Sequence, residues 1–72
     1  MDIELIEVLN SKNENILDTL PIEEIVEVID GKLYLNSYSG GIVKWDEEMK
    51  SYFHYFWGNE TVLDIKSFKY KK

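Results

Sequence analysis

Asp30-Gly31 lies between two runs of alternating apolar residues, and this pattern constrains the fold more than any other in the chain. Asp-Gly in such a setting is the strongest short-range signal for a β-hairpin, because both turn positions need a positive φ. A two-residue turn pairs Val28 with Leu33 and Val26 with Leu35. These four side chains then share one face of the hairpin.

A helix that begins at Pro21 is the alternative for the first run. Ile22, Ile25, Val26 and Ile29 have helical spacing, and proline suits the first turn of a helix. We favour the hairpin, because valine and isoleucine are poor helix formers and good strand formers.

The remaining turns and strands are predicted from short local patterns. Residues 39–41 and 58–60 are typical of turns, and residues 42–45 are predicted to form a short strand. Alternation from residue 61 to residue 70 predicts a single final strand.

Residues 46–57 fit two structures. In a helix, Asp46 is the N-cap and Gly58 the C-terminal stop. In a strand, the six consecutive ring-bearing residues 52–57 occupy both faces of a sheet, where aromatic residues are favoured. The predicted fold class is therefore mainly β, an antiparallel sheet of hairpins in one domain (residues 1–72), with α+β as the alternative if 46–57 is helical.

A weak internal repeat favours hairpins. It lays Ile6 on Ile42 and Asn10 on Asp46, so that each copy contains an apolar strand, a polar turn and a second apolar strand. The repeat predicts that residues 3–9 pair with 15–20, and that 42–45 pair with 51–57.

Part of the chain resembles a blade of a kelch-type β-propeller. Asp-Gly-Lys-Leu-Tyr-Leu at residues 30–35 is similar to the Asp-Gly-Lys-Ile-Tyr-Val strand of such blades. Gly40-Gly41 corresponds to their paired glycines, and residues 44–46 with Tyr52 to their Arg-Tyr-Asp and downstream aromatic residue. The likeness covers residues 3–57. The 72 residues hold at most about one and a half blades, whereas a closed propeller needs four or more. It implies antiparallel β structure and assigns no binding residue.

A second, short resemblance concerns residues 16–31, in which Leu20-Pro21 precedes a group of glutamates. This stretch is similar to phage uracil-DNA glycosylase inhibitors. The resemblance implies a protein that binds a nucleic-acid enzyme.

Charge is unevenly distributed along the chain. The net charge is −6, with nine carboxylates and one lysine in residues 1–30 and five carboxylates and seven lysines in the rest. An acidic region repels nucleic-acid phosphates and anionic membranes and suits a protein partner with a basic groove. We expect Glu23, Glu24, Glu27 and Asp30 to imitate phosphates for such a partner, unless these residues only solvate the strands.

Composition also indicates origin and location. All eight basic residues are lysines, and the abundance of Ile, Lys, Asn, Tyr and Phe is typical of a low-GC bacterium or its phage. The N-terminus does not resemble a signal peptide, so we expect a cytoplasmic protein, in the host cytoplasm if phage-encoded.

Catalytic and metal-binding patterns are weak. His54 is the single histidine and the chain contains no cysteine, so a nucleophile with an adjacent base and an orienting group is not indicated. The polar loop 10–15 lacks the spacing and glycine of a calcium loop. We predict a non-enzymatic protein with no cofactor and no metal.

Aromatic residues are the most informative group for function. They make up 14% of the chain, and a sheet of this size cannot bury all of them. Because Tyr and Trp are enriched at interface hot spots, we predict that Trp45, Tyr52, Tyr55 and Trp57 contact a partner protein. A second copy of the chain, forming a homo-oligomer through aromatic-rich strands, is the alternative.

Overall fold

The computed structural model describes residues 3–37 and 40–72, and for residues 23–25 it describes the backbone alone. The described residues form seven strands and one 3-10 helix. These are β1 (Glu4–Leu9), the 3-10 helix (Leu17–Thr19), β2 (Ile22–Ile29), β3 (Lys32–Ser37), β4 (Ile42–Asp46), β5 (Ser51–Phe56), β6 (Asn59–Leu63) and β7 (Ser67–Lys71). Helical structure in this part of the chain is thus far too short to cross a membrane.

The strands form two antiparallel sheets. Strands β2 to β6 pair consecutively in one five-stranded sheet, and β1 pairs with β7 in a two-stranded ribbon. The prediction of a mainly β, antiparallel fold built from hairpins is confirmed.

The hairpin at Asp30-Gly31 is also confirmed. Val28 lies opposite Leu33 and Val26 opposite Leu35, as the two-residue turn requires. Asp30 and Gly31 have φ angles of 52° and 78°. The alternative helix from Pro21 is wrong, because these β-branched residues form β2 instead.

Residues 46–57 contain a strand, and the helical alternative is wrong. Strand β5 pairs with β4 along its length, with Trp45 opposite Tyr52 and Asp46 opposite Ser51. Asp46 closes the intervening loop, since its Oδ1 accepts hydrogen bonds from the amides of Glu48 and Met49 at 2.9 and 3.0 Å. In this turn, Asp46 accepts the same kind of backbone hydrogen bonds that an aspartate N-cap accepts in a helix.

The next turn starts one residue earlier than predicted. Trp57 and Gly58 occupy its two central positions, with φ angles of 52° and 78°, and Asn59 already belongs to β6. For the turn expected at 39–41, Ser39 lies outside the described residues, and Gly40 has a φ of 80°.

The predicted final strand at 61–70 is wrong, because it is two strands. The chain leaves β6 after Leu63, and the Lys66 amide then donates a hydrogen bond to the Leu9 carbonyl at 2.7 Å. Asp64 stabilises this link by accepting a bond from the hydroxyl of Ser11 at 2.6 Å. The chain thereby passes from the edge of the large sheet to the ribbon.

The repeat predicted one hairpin correctly and one wrongly. Strands β4 and β5 form the second hairpin. The first fails because β1 pairs with β7, while residues 15–20 contribute the 3-10 helix and a single bridge between Leu9 and Asn15.

The ribbon packs on one face of the large sheet, and the core lies between them. A register shift between Leu5 and Glu7 allows Leu5 and Val8, three residues apart, to point to the same side. The buried apolar residues are Leu5, Val8, Val26, Leu33, Leu35, Val43 and Tyr52.

Candidate functional site

Strand alternation gives the five-stranded sheet an inner face on the core and an outer face that the ribbon does not cover. Rings and apolar chains occupy many outward positions. We define the outer aromatic face as Tyr34, Ile42, Lys44, Phe53, Tyr55 and Val62 with Trp57 at its end. Cross-strand pairs connect it: Lys44 lies opposite Phe53, Ile42 opposite Tyr55 and Phe53 opposite Val62. Val62 is 60% exposed.

Carboxylates surround the outer aromatic face. Glu27 lies opposite Tyr34, and Glu60 opposite Tyr55. Asp30 and Asp46 stand at the end of the sheet that holds the β2–β3 turn. The basic residue within the face, Lys44, places its Nζ 5.4 Å from the centre of the Tyr55 ring. The surroundings of the face are therefore acidic.

Tyr55 connects the face to this acidic rim. Its hydroxyl donates a hydrogen bond to Asp46 Oδ2 at 3.4 Å. Partial burial and the nearby negative charge of Asp46 raise the pKa of Tyr55. The pKa of Asp46 is lowered, chiefly by the hydrogen bond from the Met49 amide, so the rim carboxylate stays ionised at neutral pH.

Trp57 is the most exposed large apolar side chain among the described residues, at 80%. It occupies a left-handed position of a two-residue turn, where Asn, Asp or Gly is favoured and a bulky side chain costs free energy. With Tyr55 and Ile42 it lines a shallow depression at the β5–β6 end of the sheet.

Trp45 stands at the opposite end of the sheet and is held in place. Its indole Nε1 donates to Glu47 Oε2 at 2.7 Å, and Lys50 pairs with the same carboxylate at 3.1 Å. These contacts lower the pKa of Glu47, the bond from Lys50 having the largest effect. The ring meets Tyr52 edge-on, with centroids 5.1 Å apart.

Tyr52 lies in the core and is not part of the exposed surface that the sequence predicted for it. It is 5% exposed, and its Oη accepts a hydrogen bond from the Leu33 amide at 2.9 Å. In the described part of β3 and β4, the two strands pair near Leu35 and Val43, and this phenol satisfies a buried amide where they separate. Burial raises the pKa of Tyr52.

The predicted acidic residues are placed only in part. Glu27 is half-buried on the outer side of β2, and Asp30 is exposed in the turn after it. Glu23 and Glu24 lie in β2, but their side chains are outside the described part of the structure.

Among the described residues, part of the acidic N-terminal region is paired with lysines. On the ribbon, Glu4 pairs with Lys71 at 3.4 Å and Glu7 with Lys69 at 3.8 Å. The fold therefore places carboxylates from the front of the chain opposite lysines from its end.

The single histidine lies beside a buried hydroxyl. His54 Nε2 is 3.0 Å from Ser37 Oγ, and Ser37 is 0% exposed. A nucleophile must be reachable by its substrate, so this pair has no access for nucleophilic chemistry in the described conformation. Gly41 packs tightly beside this pair, since a Cβ there would clash with Ser37 Oγ and would lie 2.8 Å from the Tyr55 carbonyl oxygen.

Metal ligands do not converge in the described parts of the chain, where no group of three or more His, Asp or Glu side chains comes together. In the polar loop, Asn10 Oδ1 accepts hydrogen bonds from the amides of Lys12 and Glu14, both at 2.9 Å. This oxygen serves to close the loop.

Sequence reasoning missed several members of the outer aromatic face, namely Tyr34, Ile42, Phe53 and Val62. Alternation along each strand contains the necessary signal, but the strand order decides which residues become neighbours. Once β3, β4, β5 and β6 are placed side by side, their outward positions form one surface.

Comparison with known proteins finds no matching family model, and no curated protein or solved structure gives a significant match. The resemblances to kelch-type blades and to uracil-DNA glycosylase inhibitors stay predictions based on short sequence patterns.

Proposed function

We propose that this chain is a non-enzymatic protein-binding module that uses the outer aromatic face to bind a partner protein with a basic surface. The main observation that supports this proposal is the exposure of Trp57. A tryptophan in a left-handed turn position costs stability. Here it gains little burial within the chain, where its ring contacts Phe56. Such strained positions are concentrated at functional sites, which favours a role in recognition.

The chemistry of the face supports the same conclusion. Interface centres are enriched in Tyr, Trp and Phe, and their rims are polar. Here Phe53, Tyr55 and Trp57 supply the rings, while Glu27 and Glu60 stand beside them. A basic partner surface complements this rim and approaches it faster at low salt.

The finer form of the proposal is that the partner is a nucleic-acid-binding host protein whose basic surface the chain occupies as an inhibitor encoded by a phage or mobile element. Its supports are the net charge of −6, the acidic rim and the short sequence resemblance. In this form, Glu27 and Asp30, with Glu23 and Glu24, take the place of phosphates.

Differential capture from a low-GC bacterial lysate tests the proposal. The immobilised baits are the wild type, a face variant (Tyr55→Ser with Trp57→Asn) and a ribbon control (Lys69→Ser with Lys71→Ser). We expect one protein to be enriched on the wild type and the control, to be lost on the face variant and to elute as salt rises. Equal capture by all three baits contradicts the proposal.

Nuclease digestion of the lysate before capture tests the finer form. A partner that the chain holds through its nucleic-acid site is retained after digestion and is displaced by added DNA. Capture that added DNA leaves unchanged contradicts the mimicry and leaves the protein-binding proposal standing.

Self-assembly is the second candidate function, and the edge of the sheet favours it. Among the described strands, β6 pairs only with β5, and Val62 on it is 60% exposed. An edge strand presents unpaired backbone groups to which a second copy can add a strand. Light scattering separates the two functions: a discrete oligomer of the purified chain supports assembly, and a monomer supports the binding module.

A further inference from the structure

A recessed surface lies where β3 and β4 separate, next to the buried phenol of Tyr52. It is a cleft of about 500 Å³ between the β2–β3 turn, the β4–β5 loop and the link from β6 to β7. This volume falls within the range of small-molecule sites, about 300–1,000 Å³. The cleft is separate from the depression at Trp57, which lies at the other end of the sheet.

The charge of the cleft is opposite to that of the whole protein. Lys32, Lys50 and Lys66 line it, against a single carboxylate from Asp64. That carboxylate already accepts hydrogen bonds from the Ser11 amide and hydroxyl. Glu47, beside the cleft, pairs with Lys50, so three lysines meet two carboxylates here and a positive excess remains in a chain of net charge −6.

The walls of the cleft include two flat rings, Trp45 and Phe68. The hydrogen bond from Trp45 to Glu47 fixes the indole, and Lys32 Nζ lies 4.2 Å from its ring centre. A rigid ring loses little entropy when a ligand packs on it, so the surface is organised before binding.

We propose that this cleft binds a small organic anion with a flat ring. The ring packs against Trp45 and Phe68, and the anionic group lies among the lysines, with Lys32 the principal contact. Lys50 is paired with Glu47, and Lys66 is hydrogen-bonded to Asn13. The ammonium group of Lys32 contacts the Trp45 ring and forms no ion pair with a described residue. An anion can therefore bind Lys32 without first breaking an ion pair. Val62 borders both the cleft and the outer aromatic face, but the proposal does not rest on partner binding.

NMR titration with 1-naphthyl phosphate tests the proposal, and 1-naphthol is the matched uncharged probe. We expect naphthyl phosphate to shift the Trp45 indole N–H signal and the amides of Lys66 and Phe68. Naphthol should bind at least about tenfold more weakly, because one charge-assisted hydrogen bond contributes that much.

Two lysine variants sharpen the test. Lys32→Met should weaken naphthyl phosphate binding about tenfold. The control Lys44→Met, on the outer aromatic face, should leave the affinity unchanged. Amide spectra establish that both variants are folded.

Three results would overturn the proposal. They are the absence of shifts at Trp45 at millimolar probe, equal affinity for the two probes, and equal weakening by the two lysine substitutions. Shifts confined to Trp57 would place the binding elsewhere and equally refute the cleft.

Discussion

The outward surfaces of the ribbon and of the five-stranded sheet contrast in their chemistry. On the ribbon, Glu4 and Glu7 face Lys71 and Lys69, so charged pairs meet solvent. On the sheet, the corresponding outward positions hold rings such as Tyr55. Both surfaces are built from strands with the same alternation, so geometry alone does not explain the contrast. The ribbon also exposes Ile6 and Tyr70, but ion pairs separate them, whereas on the sheet half-buried rings adjoin the 80% exposed Trp57. This concentration of rings supports a binding role for the sheet side.

The largest expected difference in stability is between substitutions at Tyr52 and Tyr55, which lie three residues apart on β5 and on opposite faces of the sheet. Tyr52→Ala removes a core ring and should lower the free energy of unfolding by about 3–5 kcal/mol. Tyr55→Ala removes a ring of the outer aromatic face and should cost about 1 kcal/mol or less. Urea denaturation of both variants measures the difference. Similar losses would mean that the outer face is as well packed as the core, and the contrast would fail.

The hydroxyl of Tyr52 has a separate effect. Tyr52→Phe leaves the Leu33 amide without its acceptor and should cost about 1–3 kcal/mol at neutral pH. Because burial raises the folded pKa of Tyr52 above its unfolded value, the corresponding stability is present below about pH 10 and is lost as the pH rises through the folded pKa. The wild type should therefore lose its advantage over Tyr52→Phe in strong alkali. A constant difference across that range would contradict the assignment.

Trp57→Asn should raise stability while removing the proposed contact. Asn-Gly is the preferred pair for a turn with two positive φ angles, so we expect a gain of roughly 0.5–1 kcal/mol. Thermal unfolding measures the gain, and capture of the partner measures the loss. A destabilised variant would show that Trp57 contributes to the fold, and the case for its role in recognition would weaken.

The ion pairs of the ribbon should have the smallest effect. Lys69→Met and Lys71→Met each remove one exposed pair, and we expect changes of about 0.5 kcal/mol or less, shrinking further at high salt. A double-mutant cycle with Glu7→Gln isolates the pair with Lys69. A coupling well above 1 kcal/mol would show that the ribbon pairs hold the fold together and do more than solvate it.

Local signals predicted the elements whose structure depends on local chemistry. Asp30-Gly31 specified a hairpin and its register, since turn type and alternation agreed. Residues 61–70 were predicted as one strand, although the change of alternation between Ile65 and Phe68 marks the break that the structure shows. Trp57 in a turn contradicts turn preferences, so its position could not be read from composition.

Local sequence patterns could not predict the pairing between β1 and β7. Strand β1 joins β7 across nearly the whole sequence, and this contact also determines which face of the large sheet is covered. Tyr52 was therefore assigned to the surface, because its depth depends on the ribbon that covers it. Of the four aromatic residues predicted to contact a partner, Tyr55 and Trp57 lie on the outer aromatic face, and the other members of the face required the strand order.

Solvent accessibility of individual rings in the isolated monomer tests the central claim most directly. NMR relaxation by a soluble gadolinium chelate, at a concentration where sedimentation shows a monomer, reports the exposure of each ring. We predict strong relaxation at Phe53, Tyr55 and Trp57 and protection at Tyr52. Protection of all four rings in the monomer would contradict the claim that the outer aromatic face is exposed and available to bind a partner.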